Sequence, residues 1–531
     1  MNRSDTSPQN RRTADDAGAH RETEIKLQIE PRYLPRLRRA NWLKGLAAGR
    51  PNTQQLRATY FDTVDLKLRQ AGLILRVRKE GRRFVQSVKA RDAIKGAFTR
   101  QEWETVVPKA EPSPEAVARL ADAKIVPHLK PEDLVPVFQS SVRRIRRELT
   151  PKAGNRVAFD VDVGEIKAGE SSEPICEVEL ELLSGEPRHV FDLALKLVDE
   201  VPARLSTDAK SDRGYALLAG HHPEWRKATP LVLDPAAPAD EALARMIING
   251  VDHLNANEAC TLARVHIEGI HQMRVALRRL RSAFAIFKHA LPSELAAELT
   301  LELKWLIGEL GPARDWDVFI ADVLDPMSRW QADDPGLGLL REEAVKRQDE
   351  AYARAHEAIR STRYTRLLLR LAAWAEGRAW RAHPVSDATV DLYGPTLVFA
   401  NRLIDRRHRR LLKAGRHFKQ LTDEERHRLR IRVKKLRYAV EFFQSVYPRK
   451  RAAGYRDTLV ELQDGLGGLN DLAVARELLG RITAAAEGDE VKPLHAASGM
   501  VIGWHAHVAQ DHLKGINKTW KRFTALKPFW V

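Results

Sequence analysis

Glu22, Glu24 and Lys26 stand two residues apart in HRETEIKLQIE. On a strand, residues i, i+2 and i+4 share a face. Two carboxylates and one ammonium therefore point one way, while Ile25 and Leu27 point the other. The spacing recurs with its signs sorted by segment. Arg76 and Arg78 show it in LILRVRK, Glu102 and Glu104 in QEWE, and Arg144 and Arg146 in VRRIRRE. Asp160 and Asp162 show it in FDVDVG, and Glu177, Glu179 and Glu181 in CEVELEL. Such faces have two uses. Turned to water, they leave an apolar core behind them. Turned inward, acidic strands can hold a hard divalent cation on carboxylate oxygens while basic strands grip phosphate oxygens. A solvated face needs no sorting of sign by strand.

A second pattern is helical. Residues 271–281 read HQMRVALRRLR and residues 427–437 read HRLRIRVKKLR. His271, Arg274, Arg278 and Arg281 thus match His427, Arg430, Lys434 and Arg437 at an offset of 156 residues (427 − 271). Leu310, Gly311 and Asp315 keep the same offset from Leu466, Gly467 and Asp471. Positions i, i+3, i+7 and i+10 lie on one helix face. Each copy forms a ladder of cations about 5 Å apart along the axis, with no Glu at i+4 expected to relieve the repulsion. A phosphate chain has a comparable repeat, and Arg adds bidentate geometry. Few aromatics accompany the ladder, so stacking on single-stranded nucleic acid is weakly supported.

Two kinds of element must carry these patterns. From Glu22 to about Gly220, short alternating runs dominate: TEIKLQI, LRATYFDT, LILRVRK, RFVQSVKA, EWETVVP, RVAFDVDVG and CEVELELL. Helical stretches interrupt them around Arg32–Ala48 and His189–Glu200. Many alternating strands predict an antiparallel β-barrel. Residues 221–240, rich in Pro and Asp, read as a linker. Residues 241–525 read as an all-α bundle duplicated over about 245–400 and 401–525. The expected fold is thus multidomain α+β, behind a polar, disordered leader at 1–20.

Composition narrows the chemistry. The chain has 531 residues and a formal net charge of +17, which favours phosphate-rich or acidic partners. Two cysteines, Cys176 and Cys260, cannot build a disulfide framework. No apolar run reaches the roughly 18 residues of a membrane span, and the N-terminus lacks a secretory pattern. The expected location is cytoplasmic. Neither a Walker-type loop nor a His–Asp pair competes with the charged strands of the first half.

The block ExExK, YFDT at Tyr60–Thr63, GLILRVR at Gly72–Arg78, EVELEL and KSDRGYAL at Lys210–Leu217 occur in this order. Over about residues 20–220 they resemble the CYTH domain. This is the triphosphate tunnel metalloenzyme family of inorganic triphosphatases, thiamine triphosphatases and class IV adenylate cyclases. The resemblance implies a barrel with a charged tunnel. It assigns Glu22, Glu24, Glu177, Glu179 and Glu181 to Mg²⁺ or Mn²⁺. It assigns Lys26, Arg76, Arg78 and Lys210 to the reacting phosphates, with Arg57, Lys89, Arg144, Arg146 and Arg213 as further substrate cations. The neighbours of Arg57, Arg144 and Arg213 are also basic and compete for these roles.

The helical half resembles the CHAD domain, the conserved-histidine α-helical domain, through HQMRVALRRLRS, LGPARDWDVF, RRHRRLL, HRLRIRVKKLRYAVEFF and LGGLNDLAVA. That resemblance implies a basic pocket for inorganic polyphosphate. It would be lined by His271, Arg274, Arg278, Arg279, Arg281, His408, His427, Arg430, Lys434, Lys435 and Arg437. The combined expectation is metal-dependent hydrolysis of inorganic triphosphate, or a related triphosphate, beside a polyphosphate-binding bundle. That pairing could place the protein at polyphosphate granules. Two other readings are a non-catalytic polyphosphate-binding or granule-targeting protein, and an enzyme acting on nucleotide or RNA triphosphates.

Overall fold

The computed structural model describes residues 23–90, 101–113, 115, 129–220, 222–288, 291, 293–383 and 389–530. Among the described residues nine strands form one antiparallel sheet: β1 (Glu24–Ile29), β2 (Asn52–Thr63), β3 (Leu73–Glu80), β4 (Arg83–Ala90), β5 (Gln101–Val107), β6 (Leu134–Lys152), β7 (Asn155–Ala168), β8 (Ser171–Ser184) and β9 (Ala203–Ser206). Their order is β5-β4-β3-β2-β6-β7-β8-β1-β9.

The alternation read from the sequence is obeyed. In β1, Ile25 and Leu27 are fully buried while Glu24 and Lys26 are half-buried on the other face. Register brings the charged positions together across strands. Lys26 faces Glu179, Glu179 faces Asp160, and Asp162 faces both Arg144 and Glu177.

The sheet is open, which corrects the closed barrel expected. Among the described residues β5 and β9 are not paired with each other. The outer edge of β9 has other partners. Its Ala203 carbonyl accepts from the Thr365 hydroxyl at 2.8 Å, and its Leu205 carbonyl accepts from Asn255 Nδ2 at 2.9 Å. Both donors belong to the helical half. Side chains that bond an outer sheet edge compete with a further strand for it.

Helix α1 (Arg188–Glu200) covers the apolar face of the sheet, and α2 (Lys210–Leu218) caps the charged face. The expected helix over Arg32–Ala48 is instead broken at Ala40 into Leu34–Arg39 and Asn41–Leu46. Residues 222–238 carry no regular element but are not loose: Arg226 exchanges two backbone hydrogen bonds with the Asn257 side chain, and Leu233 is buried.

The helical half begins with α3 (Ala239–Ala263) and α4 (Glu268–Phe287). Helices Ser293–Val318, Pro335–Arg360 and α5 (Thr362–Glu376) follow. The second copy holds α6 (Thr396–Ala414), α7 (Asp423–Phe443), Arg449–Gly465, Gly468–Thr483 and Val491–Ala525. Four pairs of matching helices start 155 to 157 residues apart, as the duplication requires (396 − 239, 423 − 268, 449 − 293, 491 − 335). One buried apolar cluster runs from Ile25, Phe159 and Leu180 of the sheet through Phe191 of α1 into both helical copies. The halves therefore share a core. Among the described residues, no helix is long and apolar enough to cross a membrane.

Candidate functional site

The charged face of the sheet encloses a cavity of about 410 Å³. Parity decides what lines it. Glu24 and Lys26 of β1, Arg76 and Arg78 of β3, Lys89 of β4 and Glu104 of β5 face in, as do Arg144 and Arg146 of β6, Asp162 of β7, and Glu179 and Glu181 of β8. Ser206, Thr207, Ala209, Lys210 and Ser211 close one wall, at the start of α2.

At the centre lies a compact ionic cluster. Lys210 Nζ is 2.6 Å from Glu177, 2.7 Å from Asp162 and 2.8 Å from Glu179. Lys26 Nζ is 3.2 Å from Glu179. Arg144 reaches Asp160 at 2.9 Å and Asp162 at 2.7 Å, and also contacts Glu179. Arg146 bridges Asp160 and Glu181 at 3.0 and 2.9 Å.

Burial opposes ionisation of Glu179, but Lys210, Lys26 and Arg144 outweigh it and hold its carboxyl well below the ordinary range. The converse holds for Lys210: desolvation disfavours its ammonium, and Glu179, Glu177 and Asp162 more than compensate. Asp160 is pushed up to about 6 because desolvation exceeds the help of Arg144 and Arg146.

Oxygens of Asp162, Glu177 and Glu179 all lie within 4.8 Å of one another. Three converging carboxylates suit a hard divalent cation, and a cationic nitrogen already sits among them. These residues fit a metal. Asp162 was not in the expected metal set, although its alternation with Asp160 in FDVDVG was visible. On the facing wall, Arg76 donates to Ser87 Oγ at 2.7 Å, and Arg78 lies 3.6 Å from Glu104.

Two expected positions fall elsewhere, and nothing is described for a third. Glu22 lies outside the described residues. Arg57 is on the opposite face of β2 from Leu56 and Ala58, and lines a separate surface cleft with Lys79 and Glu80. Arg213 braces the cluster from behind, at 2.7 Å from Glu173 and 3.3 Å from Glu177. Glu24 and Glu181 are register partners apart from the central three, with Glu24 3.8 Å from Lys26.

Helix α2 is locked in place. The Tyr215 hydroxyl donates to buried Asp62 at 2.8 Å, and Asp62 also accepts from the backbone of Thr63, Leu68 and Arg69. Gly214 meets the Phe138 ring so closely that a Cβ there would lie 2.2 Å from it. The YFDT and KSDRGY blocks thus hold each other, and Lys210 with them.

The two helical ladders face one another. Burial first, then Arg278, Arg430, Arg437 and Arg274, push the Lys434 ammonium down to about 8. Two of these guanidiniums belong to α4 and two to α7. Arg278 Nε donates to Tyr438 of α7 at 3.4 Å. Burial and then Arg314, against Glu268 and with Arg278 and Arg274, lower His271 to about 4. Arg314, in GPARD, joins the set without having been expected. Arg274 lies 3.4 Å from Asp315. The ladder is not wholly unrelieved: Arg437 pairs with Glu441, four residues on, and bonds Gln463 at 2.9 Å. The Asp471 side chain lies outside the described residues.

Arg281, His427 and Lys435 are exposed. Arg279 turns away from the ladder, to Asn249 at 2.9 Å and over the Phe442 ring at 4.9 Å. His408 is buried, bonded to the Tyr455 hydroxyl at 2.7 Å among Phe523 and Trp530. The structure puts both in packing roles.

The fold and the two charged sites define a protein with a sheet-built ionic cavity joined to a duplicated cationic bundle. A family model of the CYTH domain matches residues 20–215, and one of the CHAD domain matches residues 245–480. The chain belongs to the CHAD family and carries a CYTH domain ahead of the CHAD domain. It is 31% identical to the crystal structure of the CHAD domain from the plant Ricinus communis, covering 57% of this chain and 98% of that one, with a TM-score of 0.50. It is 28% identical over 197 residues to the inorganic triphosphatase of Haemophilus influenzae. That match covers 37% of this chain and 54% of the relative, so the chain spans about half of that protein's length. An uncharacterized protein of Mycobacterium tuberculosis is 27% identical over 415 residues, 73% of this chain and 75% of that one.

Proposed function

We propose that the cavity hydrolyses inorganic triphosphate or a related triphosphate with Mg²⁺ or Mn²⁺, and that the facing ladders bind inorganic polyphosphate. One observation carries the first part. Asp162 and Glu179 line the same cavity as Lys26, Lys210, Arg144, Arg76, Arg78 and Lys89, and buried Glu177 converges with these two carboxylates behind Lys210. The likeness to an inorganic triphosphatase over 197 residues supports it.

A triphosphate carries several negative charges that repel water. Arg76, Arg78 and Lys89 on one wall, with Lys26 and Lys210 on the other, bind and orient its oxygens. Their charge stabilises that which develops on the transferring group. Asp162, Glu177 and Glu179 would hold the divalent ion, which neutralises phosphate charge and activates water when bound. Lys26, Lys210 and Glu179 at the centre are largely withdrawn from solvent, which strengthens their contacts.

The ladders supply cations without a matching carboxylate set, which suits holding a phosphate chain rather than cleaving it. They tether the enzyme to polyphosphate.

Phosphate release from inorganic triphosphate, ATP and thiamine triphosphate, with and without Mg²⁺, tests the reading. Metal-dependent release that Glu177→Ala abolishes is expected. Release that ignores both metal and Glu177 would overturn it.

A further inference from the structure

Helix α3 belongs to the helical half, yet one of its faces backs the segment that walls the cavity. Asn255 makes two hydrogen bonds, one to β9 and one to the segment between β9 and α2. Its Nδ2 donates to the Leu205 carbonyl at 2.9 Å, and its Oδ1 accepts from the Thr207 hydroxyl at 2.6 Å. The two bonds fix which end of the amide is which, because a carbonyl can only accept. One turn later, Glu258 is buried and takes Arg204 Nε at 2.7 Å. Thr207 itself lines the cavity, and Lys210 follows three residues on.

β9 is four residues long and pairs only with β1. Behind Lys210, the Tyr215–Asp62 bond anchors the other end of α2. The cavity wall from Ser206 to Ser211 thus runs between two supports, one in the sheet, where Lys210 also meets Asp162, Glu177 and Glu179, and one on α3. The opposite face of α3 packs on the ladder helix, where His253 bonds Gln272 at 3.0 Å and Gly250 admits Leu280.

We infer that Asn255 is a positioning residue for the cavity: the helical half, through this amide, sets where Thr207 and Lys210 stand. The inference rests on the triphosphate reading for its kinetic readout, and it adds that the catalytic unit includes α3. Small displacements of a charged group beside a reacting phosphate are costly, because its contacts are directional and desolvated.

The test uses the full chain. Asn255→Ala is compared with Asn249→Ala, two turns earlier on the same helix, whose side chain bonds Thr229 and Arg279 instead. Melting temperature, steady-state kinetics with inorganic triphosphate and Mg²⁺, and equilibrium binding of inorganic triphosphate in EDTA are measured. Asn255→Ala should weaken binding and lower kcat/KM by about fivefold or more, while Asn249→Ala stays within about twofold of the wild type. Thr207→Val should reproduce the loss and Thr207→Ser should retain function, which keeps the test available if Asn255→Ala folds poorly. Equal effects of Asn255→Ala and Asn249→Ala, or full function in Thr207→Val, would overturn the inference. A wild type that binds triphosphate but releases no phosphate with metal would sink the hydrolytic reading alone, and the binding arm would still decide the role of Asn255. A wild type that does neither would overturn both.

Discussion

The ammonium of Lys210 lies 2.6 Å from a carboxylate oxygen of Glu177, and both groups are withdrawn from solvent. Lys210 comes from the first turn of α2 and Glu177 from β8, so the contact joins the cap to the sheet. It places a cation at the meeting point of three carboxylates. Lys210→Ala should lower kcat for inorganic triphosphate by about 10²–10³-fold, the usual effect of removing one directed transition-state contact. Lys210→Met, which keeps much of the volume, should fail equally if charge is the cause. Single-turnover phosphate release would check both.

Asp162 separates the geometry from the family expectation. Asp162→Asn removes one of the three converging oxygens' charges. It should weaken Mn²⁺ binding by about tenfold or more. The matching change at Glu24, outside the central three, should have the smaller effect. Calorimetric titration with Mn²⁺ alone would rank them.

Arg57 and Arg76 make opposite predictions. Arg57 lies on the outer face of β2, so Arg57→Ala should leave triphosphate kinetics within about twofold of the wild type, as surface changes usually do. Arg76 faces the cavity, and Arg76→Ala should raise KM, lower kcat, or do both. Equal losses in the two variants would show that the inward face has been assigned wrongly.

The ladders predict a pH dependence with a definite sign. In the empty protein Lys434 sits at about 8, below its ordinary value, because burial and four guanidiniums disfavour its charge. A bound polyanion favours that charge, so binding takes up a proton above this pH. Polyphosphate affinity should therefore fall as pH rises from about 7 to about 9.5, and Lys434→Gln should flatten the fall. Without polyanion, the unfolded chain binds the proton more tightly than the fold does. Stability from this group should thus rise with pH between about 8 and the ordinary lysine value. Binding in two buffers of different ionisation enthalpy would count the proton.

Charge reversal of roles is expected within the stripe itself. Arg274→Ala with Arg430→Ala should weaken polyphosphate binding and reduce its salt slope by about two. Arg279→Ala should instead lower the melting temperature, since its guanidinium packs on Phe442 and bonds Asn249. Polyphosphate and single-stranded RNA titrated at matched salt would also separate the preferred partner.

Much of this was legible from residue order. Period 2 placed Glu177 with Glu179, and Arg76 with Arg78, on common faces. The 156-residue offset paired the two ladders and anticipated helix starts that recur at that spacing. Periodicity works here because it is a property of the backbone itself: residues two apart on a strand, or three and four apart on a helix, must share a side. What a shared side meets is not a local property. Only the tertiary structure turned Arg57 outward, brought Asp162 into the carboxylate set, and set Asn255 and Thr365 against the edge of β9. It also sent Arg279 and His408 into packing and set Lys434 among Arg274 and Arg278 of the other copy. Those outcomes depend on contacts between residues far apart in the chain, where burial and the satisfaction of buried polar groups decide which of several locally equivalent cations faces the site.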